Sequence, residues 1–211
     1  RVCAGAYISV ECARRQTKTQ ACRAHGPGHP QAYAPTVLSV REIWRYPVKS
    51  MGGEQLTVAV FGPLGIAGDR GWGVRDQATG MILTGRREPR LLMATARLAH
   101  GAPVVTTDAG DELTTATQLS AWLDRPVELV AAGDSPGTFE NPMDIDREDD
   151  WVSWQSQPGT FHDGRSTVSL VSLVSLGDHD ARRFRINLVL DGAGEDELVE
   201  RDVRIGSARL G

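Results

Sequence analysis

The spacing of glycine and proline constrains this chain more than any other feature. From residue 37 onward, short runs of alternating apolar and polar residues are cut by Gly or Pro at intervals of roughly ten residues. Val37-Leu38-Ser39-Val40-Arg41-Glu42-Ile43, Gln55-Leu56-Thr57-Val58-Ala59-Val60 and Val127-Glu128-Leu129-Val130 read as strands, with the period of two expected of half-buried ones. Val104-Val105-Thr106-Thr107 reads as one more. Gly62-Pro63-Leu64-Gly65, Asp76-Gln77-Ala78-Thr79-Gly80 and Asp108-Ala109-Gly110-Asp111 supply the turns between such runs. The pattern predicts a mainly β chain with few helices, of barrel or sandwich type. Residues 117–124 form the one clear helix of this region, with Leu119, Trp122 and Leu123 on one face and Arg125-Pro126 as the stop. Residues 91–98 are apolar and periodic enough for a strand or one helical turn, and among strands a strand is expected.

The stretch Trp44-Arg45-Tyr46-Pro47-Val48-Lys49-Ser50-Met51-Gly52-Gly53 follows the first strand. Pro47 fixes its own φ and cannot donate to a ladder, while the paired glycines admit conformations closed to other residues. Lys49 and Ser50 are therefore expected on a stiff loop. The chain has two lysines, Lys18 and Lys49, against 21 arginines, so its main body keeps a single lysine and puts it here. Arg70, Thr84 and Arg86 also stand at strand ends beside glycine or proline. Lys49, Ser50, Arg70, Thr84 and Arg86 together suit an anion, because guanidinium forks match phosphate oxygens and strand-end loops converge on one rim. Taken singly, each basic residue also reads as a solvated charge on an ordinary turn.

Charge divides the chain. Residues 1–36 carry five basic and one acidic residue, and residues 37–211 carry 18 basic and 26 acidic ones. An acidic body with only 6% aromatic residues argues against nucleic acid as a partner. No apolar run approaches the length of a membrane span. Cys3, Cys12 and Cys22 all fall in the basic leader, at spacings that fit neither a CxxC pair nor a zinc module. A body without cysteine points to a reducing, cytoplasmic setting. The leader, residues 1–36, has little periodicity and is expected to be a disordered or non-native extension.

Residues 132–158 are expected to form a linking surface loop. Their acidic run, Asp144-Ile145-Asp146-Arg147-Glu148-Asp149-Asp150, lacks the order of an EF-hand and reads as solvated. Residues 167–171 are predicted as a strand, followed by a helical turn capped by Ser172 or Ser175. His162 has no nucleophile elbow beside it and reads as structural. Residues 182–192 are predicted as a strand with Arg183, Arg185 and Asn187 on one side and Phe184, Ile186 and Leu188 on the other. Such a polar row faces either water or a bound anion. Residues 203–210 are predicted as a further strand.

Several of these stretches together resemble the MOSC superfamily, the molybdenum-cofactor sulfurase C-terminal domain with its N-terminal β-barrel partner, and in particular its amidoxime-reducing members. They are Ile43-Trp44-Arg45-Tyr46-Pro47-Val48-Lys49-Ser50, Gly68-Asp69-Arg70-Gly71-Trp72, Thr84-Gly85-Arg86-Arg87-Glu88-Pro89-Arg90, Phe161-His162-Asp163, Val171 to Leu176, and Arg183-Phe184-Arg185-Ile186-Asn187-Leu188. The resemblance covers about residues 37–211. It implies two β-barrel-like modules, residues 37–131 and 159–211, the second incomplete. It also implies that Lys49, Ser50, Arg70, Thr84, Arg86, Ser172, Arg185 and Asn187 line a site for the pterin phosphate of the molybdenum cofactor (Mo-molybdopterin). The implied activity is reduction of N-hydroxylated small-molecule substrates, with electrons from a partner redox protein. Sulfur carriage, or anion binding without metal chemistry, are the alternatives. The superfamily is associated with pyridoxal phosphate as well. Family enzymes hold molybdenum through a cysteine just after the strand matching residues 203–210, and the sequence given stops at Gly211, before that point. Accordingly the chain is expected to be truncated, no metal ligand or catalytic residue is assigned, and these residues alone are not expected to hold the cofactor productively.

Overall fold

The first predicted strand forms over Ser39–Arg45 and becomes an inner strand of a four-stranded sheet. In this computed structural model, which describes residues 1–6, 8–11, 38–144, 147–164, 167–199 and 201–210, its neighbours are Glu54–Leu56 and Leu188–Asp191, both antiparallel. Leu170–Ser172 lies parallel to Leu188–Asp191 at the far edge. Strict alternation would put Val40 and Glu42 on one face. Instead Glu42 pairs with Val189 and Val40 with Leu190, leaving Arg41 as an extra, exposed residue. This bulge shifts the phase, so Val40 and Ile43 both point into the core while Glu42 stays out of it. There they pack with Leu38, Ile66, Leu188, Leu190, Val203 and Ile205.

A second core lies under the middle of the chain. Trp72–Asp76 pairs with Val127–Ala131, and Thr95–Ala99, Ala102–Thr106 and Glu112–Leu113 form a meander. His100 and Gly101 close the tightest turn with φ of 53° and 84°, the left-handed pair that a two-residue hairpin favours. The helix Ala116–Leu123 starts with a capping box between Thr115 and Gln118 and buries Leu119 and Leu123 against Val48, Met51, Val74 and Leu91. At its other end Arg90, gripped by both oxygens of Glu88, donates to the carbonyls of Trp122 and Leu123. The Glu88-Pro89-Arg90 part of the arginine-rich stretch is thus a cap on a helix C-terminus, where a cation is favoured.

The mainly β class stands, with the short α-helices Ala116–Leu123 and Leu173–Leu176 among the described residues. Several local expectations are corrected. Pro89 starts a 3-10 turn, Pro89–Met93, so the strand predicted over 91–98 is Thr95–Ala99. The stretch 132–158 carries a long hairpin, Thr138–Asp144 with Arg147–Gln155, where acidic composition had suggested a loop. The row at 182–192 is broken: Asp180 caps a 3-10 turn, Ala181–Phe184, Arg185 turns left-handed, and only Leu188–Asp191 is strand. The strand read at 167–171 is Leu170–Ser172, and residues 203–210 fold as a hairpin, Asp202–Ile205 with Ala208–Leu210, turning at Gly206. Part of the expected disordered leader is ordered as well. Val2–Cys3 pairs with Val58–Ala59, Ile8–Glu11 pairs with Asp202–Ile205, and the Arg1 amine donates to Ser207 Oγ at 2.8 Å. Residues 7 and 12–36 of that leader lie outside the described residues.

Candidate functional site

The loop after Ser39–Arg45 delivers Tyr46, and this residue organises the site. It is fully buried, its hydroxyl donates to the Ile186 carbonyl at 3.0 Å, and its backbone N–H donates to Asp69 Oδ1 at 2.7 Å. The guanidinium carbons of Arg70 and Arg185 sit 5.0 and 4.9 Å from its ring centroid, within cation–π range. Burial pushes the Tyr46 hydroxyl upward in pKa, so it remains a donor.

Each cation is then fixed by further bonds. Arg70 pairs with Asp69, and donates to Asn187 Oδ1 at 3.2 Å and to the Arg185 carbonyl at 3.0 Å. Arg185 donates to the carbonyls of Met51 and Val48, tying the end of the chain's second half to the Lys49 loop. Lys49 Nζ donates to the Phe161 carbonyl at 3.0 Å, pairs with Asp163, and stands 4.0 Å from the Phe139 ring centroid. His162, next in sequence, puts Nε2 3.2 Å from Asp69 Oδ2 but without the alignment of a hydrogen bond.

Together these loops enclose a cavity of about 720 Å³, lined by Lys49, Ser50, Arg70, Thr84, Arg86 and Arg185 among others. Six of the eight expected site residues meet there, and two do not. Ser172 caps the helix Leu173–Leu176, with Oγ accepting from Ser175 N. Asn187 is buried behind the wall. Its Oδ1 accepts from Arg70 and from Ser169, and its Nδ2 donates to the Trp44 carbonyl at 3.2 Å. Sequence reasoning passed over Asp69, His162 and Asp163 as site groups; the one signal available was their adjacency to Arg70 and to each other in Phe161-His162-Asp163.

Backbone strain picks out the same place. Among the described residues five non-glycine positions have positive φ, and three of them, Ser50, Arg70 and Arg185, line this cavity. Each such residue costs on the order of 1–3 kcal/mol and persists only where its surroundings demand it. The electrostatics are equally loaded. Burial, followed by the nearby Arg70, pushes Arg185 down to about 10, and burial also lowers Lys49 despite the carboxylate of Asp163. Burial works to raise Asp69, but His162, Arg70 and the Tyr46 N–H outweigh it and hold this carboxyl below its ordinary range. Arg86, at the exposed edge, has no side-chain hydrogen bond or ion pair among the described residues. The lining thus gathers four basic residues, with Lys49 and Arg70 paired to Asp163 and Asp69 and Arg86 without a side-chain partner among the described residues.

Fold and cavity define a mainly β protein with a cationic site where strands from both halves of the chain meet. Residues 37–153, more than half of the chain, match the family model described as MOSC N-terminal beta barrel domain, and the chain belongs to that family. MOSC domains are found in molybdenum-cofactor-binding sulfurases and reductases. No match was found among curated proteins. Among the described residues, no helix is long and apolar enough to cross a membrane, and no three His, Cys, Asp or Glu side chains gather to hold a metal ion.

Proposed function

We propose that the cavity binds the phosphate of a molybdenum-cofactor pterin, and that it serves the reduction of N-hydroxylated small molecules with electrons from a redox partner. One observation carries this reading: Lys49, Arg70, Arg86 and Arg185 line a single cavity together with Ser50 and Thr84. These groups fit a phosphate dianion. The Arg86 fork is free to bind two oxygens side by side, the geometry for which guanidinium is suited. Ser50 Oγ accepts from Gly85 N at 2.9 Å, which leaves its own proton to donate. Arg70 and Arg185 are already held by Asp69, Asn187, Met51 and Val48, so their charge is in place before a ligand arrives.

Bound there, the cofactor supplies oxygen-transfer and electron-transfer chemistry, and the chain's own share is binding, orientation and electrostatics. Leu92 and Phe184, 58% and 52% exposed, give the mouth an apolar edge beside this cationic floor. The described lining contains no thiol; Cys3 lies elsewhere, on an outer strand. That observation favours a second reading, an anion-binding β module without metal chemistry.

Purification of the chain from a host that makes the cofactor, followed by acid release and fluorescence measurement of the pterin, separates the two. The first reading expects roughly one pterin per chain, falling about tenfold or more in Arg185→Ala and in Arg86→Ala. A chain that binds simple phosphate esters but carries no pterin moves the assignment to the second reading.

A further inference from the structure

We infer that His162 is a positioning residue whose protonation sets the anion affinity of this cavity, because it shares the Asp69 carboxylate with Arg70. This rests on the anion-binding reading above. His162 lines the cavity at 9% exposure, and its Nε2 is buried without an aligned hydrogen bond, 3.2 Å from Asp69 Oδ2. The Asp69 side chain has no exposed surface, and the same Oδ2 is the ion-pair partner of Arg70. The segment is held in this place on both sides, since Phe161 N donates to the Arg70 carbonyl at 2.8 Å and the Phe161 carbonyl accepts from Lys49.

A neutral imidazole leaves the charge of Asp69, whose carboxylate also accepts from the Tyr46 N–H, with Arg70 as its one charged partner among the described residues. A protonated imidazole divides that charge and adds a cation to the cavity wall, so an anion meets a stronger field. Histidine is the side chain suited to change charge between about pH 5 and 8. The other ionisable groups around it are Tyr46 and Lys49 from the loop after Ser39–Arg45, Asp69 and Arg70, Arg86 at the rim, Asp163 beside it in sequence, and Arg185. Asp69 is held ionised by its partners. Protonation of any of these groups would strengthen anion binding as pH falls, so the sign of the slope does not name its source; Lys49, pushed toward neutrality by burial, is the competing cation.

Sulfate is the probe, since its charge is constant over this range. Calorimetric titration of the full chain from about pH 8 down to about pH 5.5 should show sulfate affinity rising roughly tenfold, with His162→Gln flat at the high-pH value. By reciprocity, sulfate should raise the His162 midpoint in an NMR titration of the unaltered chain by about one unit. That second measurement decides the matter if the variant does not fold. A slope that survives in His162→Gln assigns the titration to another group of the wall and overturns the inference, as does a His162 signal that sulfate leaves unmoved. Sulfate binding without any slope overturns this inference alone. No sulfate binding at any pH overturns the anion-binding reading itself.

Discussion

Tyr46 places one aromatic ring against two half-buried arginines, and its hydroxyl and backbone N–H bond to residues next to each of them. A ring there neutralises nothing, yet it lets like charges sit close together, because each is attracted to π density while Asp69 answers from behind. Tyr46→Phe keeps the ring and loses the bond to Ile186, which should cost about 1 kcal/mol in urea denaturation. Tyr46→Leu loses the ring as well and should cost roughly 3 kcal/mol, with sulfate affinity falling in parallel. Equal losses for the two variants would show that the ring does not hold the cations. At this scale the site was partly legible from residue type and loop position, as Lys49, Ser50, Arg70, Thr84 and Arg86 illustrate. Asn187 was not, because a strand pattern cannot distinguish an amide that meets a ligand from one that braces an arginine from the inner side. His162 looked structural for a similar reason: its partner, Asp69, is distant in sequence.

Among the elements, punctuation read well and phase read poorly. Gly, Pro and the Arg125-Pro126 stop located the strands Ser39–Arg45, Ala102–Thr106 and Val127–Ala131 and the helix Ala116–Leu123 to within a residue or two. The row at 182–192 failed because the cap at Asp180 and the left-handed Arg185 are three-dimensional commitments that alternation does not encode. The hairpin at 138–155 was hidden because the Gly-, Pro- and acid-rich stretch 132–158 carries no clean alternation, and the pairing of Phe139 with Trp154 is seen only in three dimensions. A third element shows how such commitments can be tested. The 3-10 turn Glu195–Leu198 sends the Glu195 carboxylate to Ser172 N at 2.9 Å, joining the turn to the cap of Leu173–Leu176. Burial works to raise this carboxyl, but bonds from Ser172 N and from the Ser175 and Ser172 hydroxyls outweigh it and bring it down to about 2. A depressed carboxyl contributes stability that is present above its unfolded pKa and is lost as pH falls through the folded one. Discounted for solvent screening, roughly 2 kcal/mol should disappear between about pH 4.5 and about pH 2. Urea midpoints across that window should fall in the wild type and much less in Glu195→Gln, which starts lower at pH 7; parallel curves would remove Glu195 as the cause.

The whole molecule is tied across its length more tightly than its linear order suggests. Ser39–Arg45 has one sheet neighbour from its own half and one, Leu188–Asp191, from the other, and the core around Val40 and Ile43 is completed by Leu188 and Leu190. The cation site repeats the pattern, since Arg185 reaches the carbonyls of Val48 and Met51. The family match at 37–153 therefore describes a stretch of sequence whose central sheet is finished from outside it. The full chain should unfold in one transition by far- and near-ultraviolet circular dichroism. A fragment of residues 37–153 should show no cooperative transition, because Val40 and Ile43 lose their partners. A sharp transition in the fragment would show that the halves fold separately.

The bulged pairing of Ser39 with Asp191 joins residues 152 positions apart, and this has a meaning in time as well as in space. At synthesis rates of about 5–20 residues per second, Ser39–Arg45 emerges some 8–30 seconds before the strand that completes its sheet is made. Through that interval its apolar face and one hydrogen-bonding edge are open to whatever the nascent chain meets. Arg41 is the exposed, charged residue inserted at the bulge on that edge, and charge there is the common protection of an unpaired strand against joining a stranger. The bulge that sets the phase of the finished core thus also guards the strand while it waits.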